Sequence, residues 1–439
     1  MHAETWYRAT RREPDDHPPL AGRTRARVLV VGGGYAGLAT ALGLAERGID
    51  DVLLLEQHAI GHGASGRNGG FVFGGYSLGE AALRARVGDD CARWMYGLST
   101  AAVRTLRERI RRYEIACDPV DAGVIWANWF DDPEVLDQRR RLLAEHFGVH
   151  WQPIAPDRLR EQLLTSRYHG GLFEADAFHL HPLNLALGLA RAARAQGVRV
   201  HCGDAVVSIQ REGHAWRVRT ASAEVRAAQV VVAGGGYLGG LLPKLRRALL
   251  PIATYVAVTE PLGERLGEAI RTRAAVYDTR FAFDYYRALP DTRLLWGGRI
   301  SILERSPAAV ARLLRRDIAG VYPQLGEVRI DYAWSGLMSY ARHEMPQIGQ
   351  LRPGLWYAQA FGGHGVATTS AAGELLAQAI AGENDDWRRF APFGLTRTWR
   401  PFGYLGAQAT YSWLQARDRW KERDTGRGAR GTGETGRAS

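Results

Sequence analysis

Glycines at positions 32, 33, 34 and 37 close one apolar run, Val28-Leu29-Val30-Val31, and open another that continues to Ala45. A strand that runs into Gly-x-Gly-x-x-Gly and then a helix is built to hold a dinucleotide pyrophosphate. Gly32 permits the turn, Gly34 lets backbone approach the phosphates, and Gly37 lets helix and strand pack closely. The helix N-terminus then faces negative charge. A second apolar run, Val52 to Leu55, ends at Glu56, 22 residues beyond Gly34, where a carboxylate can accept hydrogen bonds from a ribose. This spacing does not separate FAD from NAD. Directly after the acid comes Gly61-His62-Gly63-Ala64-Ser65-Gly66-Arg67-Asn68-Gly69-Gly70. Such a small-residue loop can set backbone amides against a flat polar ring system, with Arg67 and Asn68 as donors. The alternative is a flexible loop in which Asn68-Gly69 is a simple turn.

Other reactive side chains are sparse. His179 and His181 flank Leu180 on an extended segment, but no third metal ligand is near in sequence and Pro182 suits the first turn of a helix, so a structural role is expected and no metal site. Cys91, Cys117 and Cys202 are odd in number and widely separated, which excludes a disulfide framework and points to a reducing, cytoplasmic compartment. The formal charge of +11 rests almost wholly on scattered arginines, with Lys244 and Lys421 the only lysines. No basic run or basic-aromatic alternation marks a nucleic-acid partner. The uncharged stretch Val28 to Ala45 is long enough to span a bilayer, but its early glycines read as strand-turn-helix, so no membrane span is expected.

Three glycine-rich segments supply the elements that must position these groups: 27–91, 179–250 and 339–385. In the second, a strand Gln229 to Ala233 ends at Gly234-Gly235-Gly236; in the third, Leu355 to Ala358 precedes a glycine turn and a helix. Between them, 92–178 and 251–338 contain alternating runs such as Ala282 to Arg287 and Arg293 to Arg299, the pattern of antiparallel strands. The expected architecture is α/β, a discontinuous nucleotide-binding domain interleaved with an α+β domain on an antiparallel sheet. A polar leader with Trp6 and Tyr7 precedes them. A helical extension over 386–423 and a disordered tail over 424–439, rich in Gly, Arg and Thr, follow.

The stretches VVGGGYAGLATALGLAERG with Glu56, GASGRNGG, RYHGGLFEADAFHLHPLNLALGLARAA, VVVAGGGY, DYYR, LLWGGR, MPQIG and GLWYAQAFGGHGVATTSAAGELLAQAI together resemble the FAD-dependent amine and D-amino-acid oxidase (DAO) family. Within that family they resemble the gamma-glutamylputrescine oxidoreductase-like branch. The resemblance implies a Rossmann-like FAD domain of the glutathione-reductase type. It makes Ser65, Arg67, Asn68, Gly69 and Gly234 further cofactor contacts and sets the Val206 backbone against the adenine. It places the Gly362-Gly363-His364-Gly365 turn, just before a helix starting near Val366, against the flavin N1 and C2 carbonyl, which become negative on reduction.

The activity implied is hydride transfer from the carbon beside an amine nitrogen to flavin N5, followed by imine hydrolysis. The substrate would be a small-molecule amine, gamma-glutamylputrescine or a related polyamine or amino-acid derivative. No base is obligatory; His364, Tyr255, Tyr286 and Arg287 are the catalytic candidates. Oxidation of an amino acid or N-methyl amino acid is the alternative, with Arg287, Arg299 or Arg342 clamping a carboxylate. A noncatalytic flavin-binding protein is a third reading, to be separated by an open aromatic cavity formed from Tyr255, Phe283, Tyr285, Tyr286 and Trp334. Two departures from the family stand out. No cysteine follows Cys202, and the loop that would carry a flavin tether reads Gly336-Leu337-Met338-Ser339, so noncovalent FAD is expected. The strand that carries an oxygen-activating lysine in some members reads Arg293-Leu294-Leu295-Trp296, which leaves dioxygen or another electron acceptor open.

Overall fold

The computed structural model describes residues 4–399 and 402–431, with side chains to 422. Its first sheet has a parallel centre, in the spatial order Leu355–Gln359, Ala223–Val232, Gly22–Val31, Val52–Glu56 and Arg199–Cys202, with Gln347–Arg352 antiparallel on one edge. Strands covered on both faces need apolar residues at every position, which is why Val28 to Val31 lacks alternation. Val28, Val30 and Leu54 pack under helices, whereas Leu29, Leu53 and Leu55 pack toward Trp216 and Val218 of the hairpin Ser208–Glu212 and Ala215–Arg219.

Three helices meet on the helical face: Tyr35–Glu46, Asp89–Arg112 and Gly365–Ala381. The first and third touch so closely that a methyl group on Gly373 would lie 2.5 Å from the Ala39 methyl and 2.7 Å from backbone. Arg109 joins all three by pairing with Glu46 and Glu374, and Tyr113 Oη donates to the same Glu46 at 2.9 Å.

The second sheet has the order Ile330–Tyr340, Leu250–Thr259, Leu294–Ser301, Tyr285–Ala288, Ala275–Asp278, Val124–Ala127, Gly171–Glu174 and Gln152–Ile154. All pairs are antiparallel except Ala275–Asp278 with Val124–Ala127. The amphipathic helix Pro307–Val321 buries Val310, Leu314 and Ile318 against its outer face. Beside a small two-stranded sheet, Phe71–Val72 with Phe178–His179, these two large sheets make the mixed α/β architecture that the sequence implies.

Of the leader, residues from Glu4 onward are described. A single helical turn, Trp6–Ala9, is capped by Thr5 Oγ1, which accepts from Arg8 N, and it buries Tyr7 completely. At the other end, Asp386–Phe393 forms a tight 3₁₀ segment and Phe402–Gly431 a long helix. Disorder was expected from 424, but the helix carries on to Gly431. Once a docked helix is nucleated, each further residue adds a hydrogen bond, so composition alone does not end it. Positions 432–439 lie outside the described residues.

Candidate active site

A cavity of about 1200 Å³ opens between the sheets. Small-ligand sites span roughly 300–1,000 Å³, so this one has room for a dinucleotide with a substrate beside it. Gly32, Gly34, Glu56, Ser65 and Val206 line one end. Gly32 has φ +119°, and a side chain there would meet Ala233 O at 2.6 Å; a methyl on Gly37 would meet Gly32 O at 1.9 Å. Glu56 accepts from Gly33 N at 2.7 Å and His58 N at 2.9 Å. A carboxylate has about four acceptor directions, so it retains capacity for ribose hydroxyls. Val206 stands just ahead of the strand Ser208–Glu212.

The 61–70 loop forms the middle of the wall. Its Asn68 does not offer its amide to the cavity. Nδ2 donates to Ala64 O and Ser65 O, and Oδ1 accepts from Gly70 N, so the side chain staples the loop to itself. The loop is held from behind by Tyr7 Oη on Asn68 O at 2.8 Å, Trp334 Nε1 on Arg67 O at 3.0 Å and Arg287 Nε on Gly69 O at 2.8 Å.

At the far end, the Gly365–Ala381 helix begins against the cavity. Its N-cap residue, His364, makes no side-chain cap; the ring packs edge-on against Phe73 at 5.1 Å, with Nδ1 at 3.4 Å from Ser77 Oγ. Gly363 N donates to the same Oγ at 3.0 Å. Burial, reinforced by the Arg139 cation, lowers the His364 pKa to about 4, so the ring is neutral near pH 7. A run of aromatics leads away from it: Phe73 stacks on Tyr277 at 5.6 Å, Tyr277 meets Phe283 edge to face at 5.8 Å, and Phe283 meets Tyr285 at a tilt at 6.2 Å. Beside this wall, Glu80 accepts from Arg139 at 2.8 Å, and Arg139 lies 4.5 Å over the Trp126 ring. Desolvation raises the Glu80 pKa, but Arg139 outweighs it and the net shift is downward. Behind them Glu174 has one buried oxygen without a partner, and desolvation pushes its pKa up to about 7.

Several sequence candidates stand elsewhere. Side chains alternate across a strand, so in Tyr285–Ala288 the Tyr285 ring faces the cavity while Tyr286 turns to the opposite core, stacked on Trp296 at 4.3 Å and accepting from Tyr322 Oη at 3.0 Å. Tyr255 also faces that core and donates to Leu303 O. Arg287 is buried behind the 61–70 loop, spent on Gly69 O and Leu180 O, and Trp334 supports the same loop. Arg299 lines the cavity but pairs with Asp317 at 2.5 Å; Arg342 is exposed at the rim. His181 caps the Pro182–Ala195 helix by accepting from Asn184 N, and His179 is tied to Arg273 O at 2.8 Å. No metal-binding cluster occurs among the described residues. Phe73, Ser77, Glu80, Trp126, Arg139 and Tyr277 were not anticipated. They come from segments without a local signature, and only Arg139 and Glu80, as helical charges, could have been suspected.

The residues present fit FAD. Two helices, of 12 and 17 residues, open their N-termini into one cavity, and neither is capped by its own N-cap side chain. Dipoles so placed favour an anionic pyrophosphate at one end and a ring system that gains negative charge at the other. A dinucleotide cradle and an aromatic chamber on one cavity are the frame of a flavin-dependent oxidoreductase.

The comparisons agree. A family model described as DAO, FAD dependent oxidoreductase, matches residues 27–379. Gamma-glutamylputrescine oxidoreductase of Escherichia coli K12 is 37% identical over 419 residues, covering 94% of this chain and 98% of its own. A probable oxidoreductase OrdL of Haemophilus influenzae is 33% identical, covering 88% and 89%. In fold, glycine oxidase from Geobacillus kaustophilus superposes with a TM-score of 0.71 at 22% identity, covering 85% of this chain and 99% of that one. The chain belongs to the DAO family of FAD-dependent oxidoreductases.

Proposed function

We propose that the protein oxidises the C–N bond of an amine, an acylated polyamine such as gamma-glutamylputrescine or a related derivative. The observation that carries this reading is the aromatic wall from Phe73 to Tyr285, which starts at His364 and runs beside the Glu80–Arg139 pair. The resemblance to the E. coli enzyme supports the substrate class. Bound FAD supplies the hydride acceptor.

The chain's own residues prepare the amine. Apolar and aromatic walls desolvate the nitrogen and favour the neutral form, whose lone pair drives hydride departure from the adjacent carbon. The same ring faces attract the ammonium form on entry. Glu80, kept ionised by Arg139, forms with it a charge-balanced pair beside the wall, so the rings rather than a free carboxylate receive the cation. His364, neutral, can donate or accept one hydrogen bond at the helix start without placing a charge there. Water then hydrolyses the released imine to a carbonyl compound and an amine or ammonia.

Oxidation of an α-amino acid is less well served. Of the cavity arginines, Arg139, Arg280 and Arg299 are each tied to carboxylates. Arg67 belongs to the cofactor loop and Arg342 to the rim, so no arginine beside the aromatic wall is left to clamp a carboxylate. An anaerobic flavin-bleaching screen tests the assignment: acylated polyamines should bleach the flavin and free amino acids should not. Bleaching by amino acids alone overturns it.

We further propose noncovalent FAD and slow reaction with dioxygen. Superoxide formation is favoured by a cation near the flavin. Leu295 and Trp296 occupy the strand in question, Arg299 is neutralised by Asp317, and His364 is uncharged. Acid precipitation should release FAD into the supernatant. Stopped-flow reoxidation should be slow in air-saturated buffer and faster with an artificial acceptor; fast return with stoichiometric hydrogen peroxide marks an oxidase instead.

A further inference from the structure

The C-terminal helix Phe402–Gly431 carries an apolar stripe on the side turned away from the protein. Phe402, Leu405, Trp413 and Trp420 are 63–75% exposed, and with the exposed Ala409 and Ala416 they recur every three or four residues, hence on one face. Trp399, 64% exposed, extends the stripe toward the cavity, whose lining includes both Trp399 and Phe402. Arg417 and Arg419 flank it, with the Arg417 guanidinium 5.7 Å from the Trp413 ring centre.

This exposure is not a sign of loose packing. The opposite face is pinned along its length: Ile300 N donates to Tyr411 Oη at 3.1 Å, Phe281 N to Asp418 Oδ2 at 2.8 Å, Lys421 pairs with Asp132 at 2.9 Å, and Arg167 pairs with Glu422. The aromatic face is therefore held outward by a docked helix. Isolated surface hydrophobics need no explanation, but an ordered row of four large ones does.

We infer that this stripe seats the protein on an anionic lipid surface. Tryptophan and phenylalanine beside arginine are the composition of a helix lying in the headgroup region, where rings enter the acyl boundary and guanidinium groups meet lipid phosphates. A second copy of the chain fits less well. At ~150–250 Å² per aromatic side chain, two-thirds exposed, the stripe offers on the order of 500 Å², below the ~800 Å² per partner of a stable interface. Two chains of charge +11 also repel. A single convex ridge needs only a yielding surface, not a complementary groove. No described helix is long and apolar enough to cross a membrane, so the attachment is peripheral.

The test uses the full-length holoprotein with vesicles of phosphatidylglycerol and phosphatidylethanolamine, and with phosphatidylcholine alone. The protein should sediment with the anionic vesicles and not with phosphatidylcholine, and release in high salt, with tryptophan emission moving to shorter wavelength on binding. The double substitution Trp413→Ser, Trp420→Ser should weaken binding at least tenfold while flavin content and melting temperature stay unchanged. Leu405→Asp with Ala409→Asp, in the first half of the stripe and outside the cavity lining, should act likewise and serves if the first pair misfolds. Absence of sedimentation at low salt, or equal binding by both variants, overturns the inference. So does a concentration-dependent dimer, seen by sedimentation velocity, that the substitutions abolish.

Discussion

Gly34 and Gly37 belong to one motif but fail differently when substituted. At Gly37 a Cβ lies 1.9 Å from Gly32 O, so Gly37→Val must separate the helix from its strand. Overpacking of this kind costs ~1–3 kcal/mol or more, and both the melting temperature and flavin content should fall. At Gly34 the backbone has φ −84°, which any residue adopts, and the nearest contact is Ser65 Oγ at 3.0 Å. Ser65 Oγ, which accepts from Tyr35 N at 2.9 Å, must give way, so Gly34→Val should lower the apoprotein's melt less than Gly37→Val does and abolish flavin retention, read from the ratio of 450 to 280 nm absorbance. Equal retention in Gly34→Val and wild type would falsify the assignment of this loop. Glu174 gives a second prediction at this scale. Desolvation raises its pKa from 4.5 to about 7, so between these values the folded protein holds a proton that the unfolded chain has released. Stability from this group is complete below pH 4.5, declines as pH rises to 7, and is level above. Glu174→Gln should accordingly stabilise the protein by up to about 3 kcal/mol at pH 8 and by nothing near pH 4.5, as denaturant melts at the two pH values will report.

Between elements, the helix pair Tyr35–Glu46 and Gly365–Ala381 couples the two ends of the cavity, since each helix starts on it. Gly373→Val would drive these helices apart against backbone 2.7 Å away. We expect a loss of ~3 kcal/mol or more together with weakened FAD binding, measurable by thermal unfolding and by flavin titration; an unchanged FAD affinity would show that the pair does not position the cavity ends. The strand-glycine-helix pieces of this layer were legible in the sequence because their signals are local: Val28 to Val31, Gly32 and Glu56 lie within one supersecondary unit. The run Arg293 to Arg299 was legible as a strand by alternation, and the run Ala282 to Arg287 only in its second half, since a turn ends at Ala282 and the strand starts at Tyr285. Which face of each met the cavity was not. Alternation places Tyr285 and Tyr286 on opposite sides but cannot say which side is inward, so Tyr286, Tyr255 and Arg287 were as plausible as Phe283 and Tyr285. Glu80, Trp126 and Arg139 were illegible for another reason, since three unrelated segments meet there only through long-range strand pairing.

For the molecule as a whole, a cavity walled by both sheets makes a bound cofactor a tie between them. FAD that binds only the folded chain stabilises it by RT ln(1 + [L]/Kd), about 2.7 kcal/mol at a hundredfold excess over Kd. The melting temperature of the apoprotein should thus climb with added FAD. A melt insensitive to FAD, with binding verified by flavin fluorescence quenching, would mean that the unfolded chain binds equally or that the sheets unfold separately. The buried Tyr7 has a consequence of a different kind, in time. Its hydroxyl holds the 61–70 loop at Asn68, and its ring lies against Trp334 at 5.4 Å between centroids. One partner follows it by 61 residues, while the other follows more than 300 residues later, which at ~5–20 residues per second is on the order of half a minute. The 61–70 loop thus waits for its Trp334 support through most of synthesis, and a ligand that needs the finished loop is loaded only once that strand has been made.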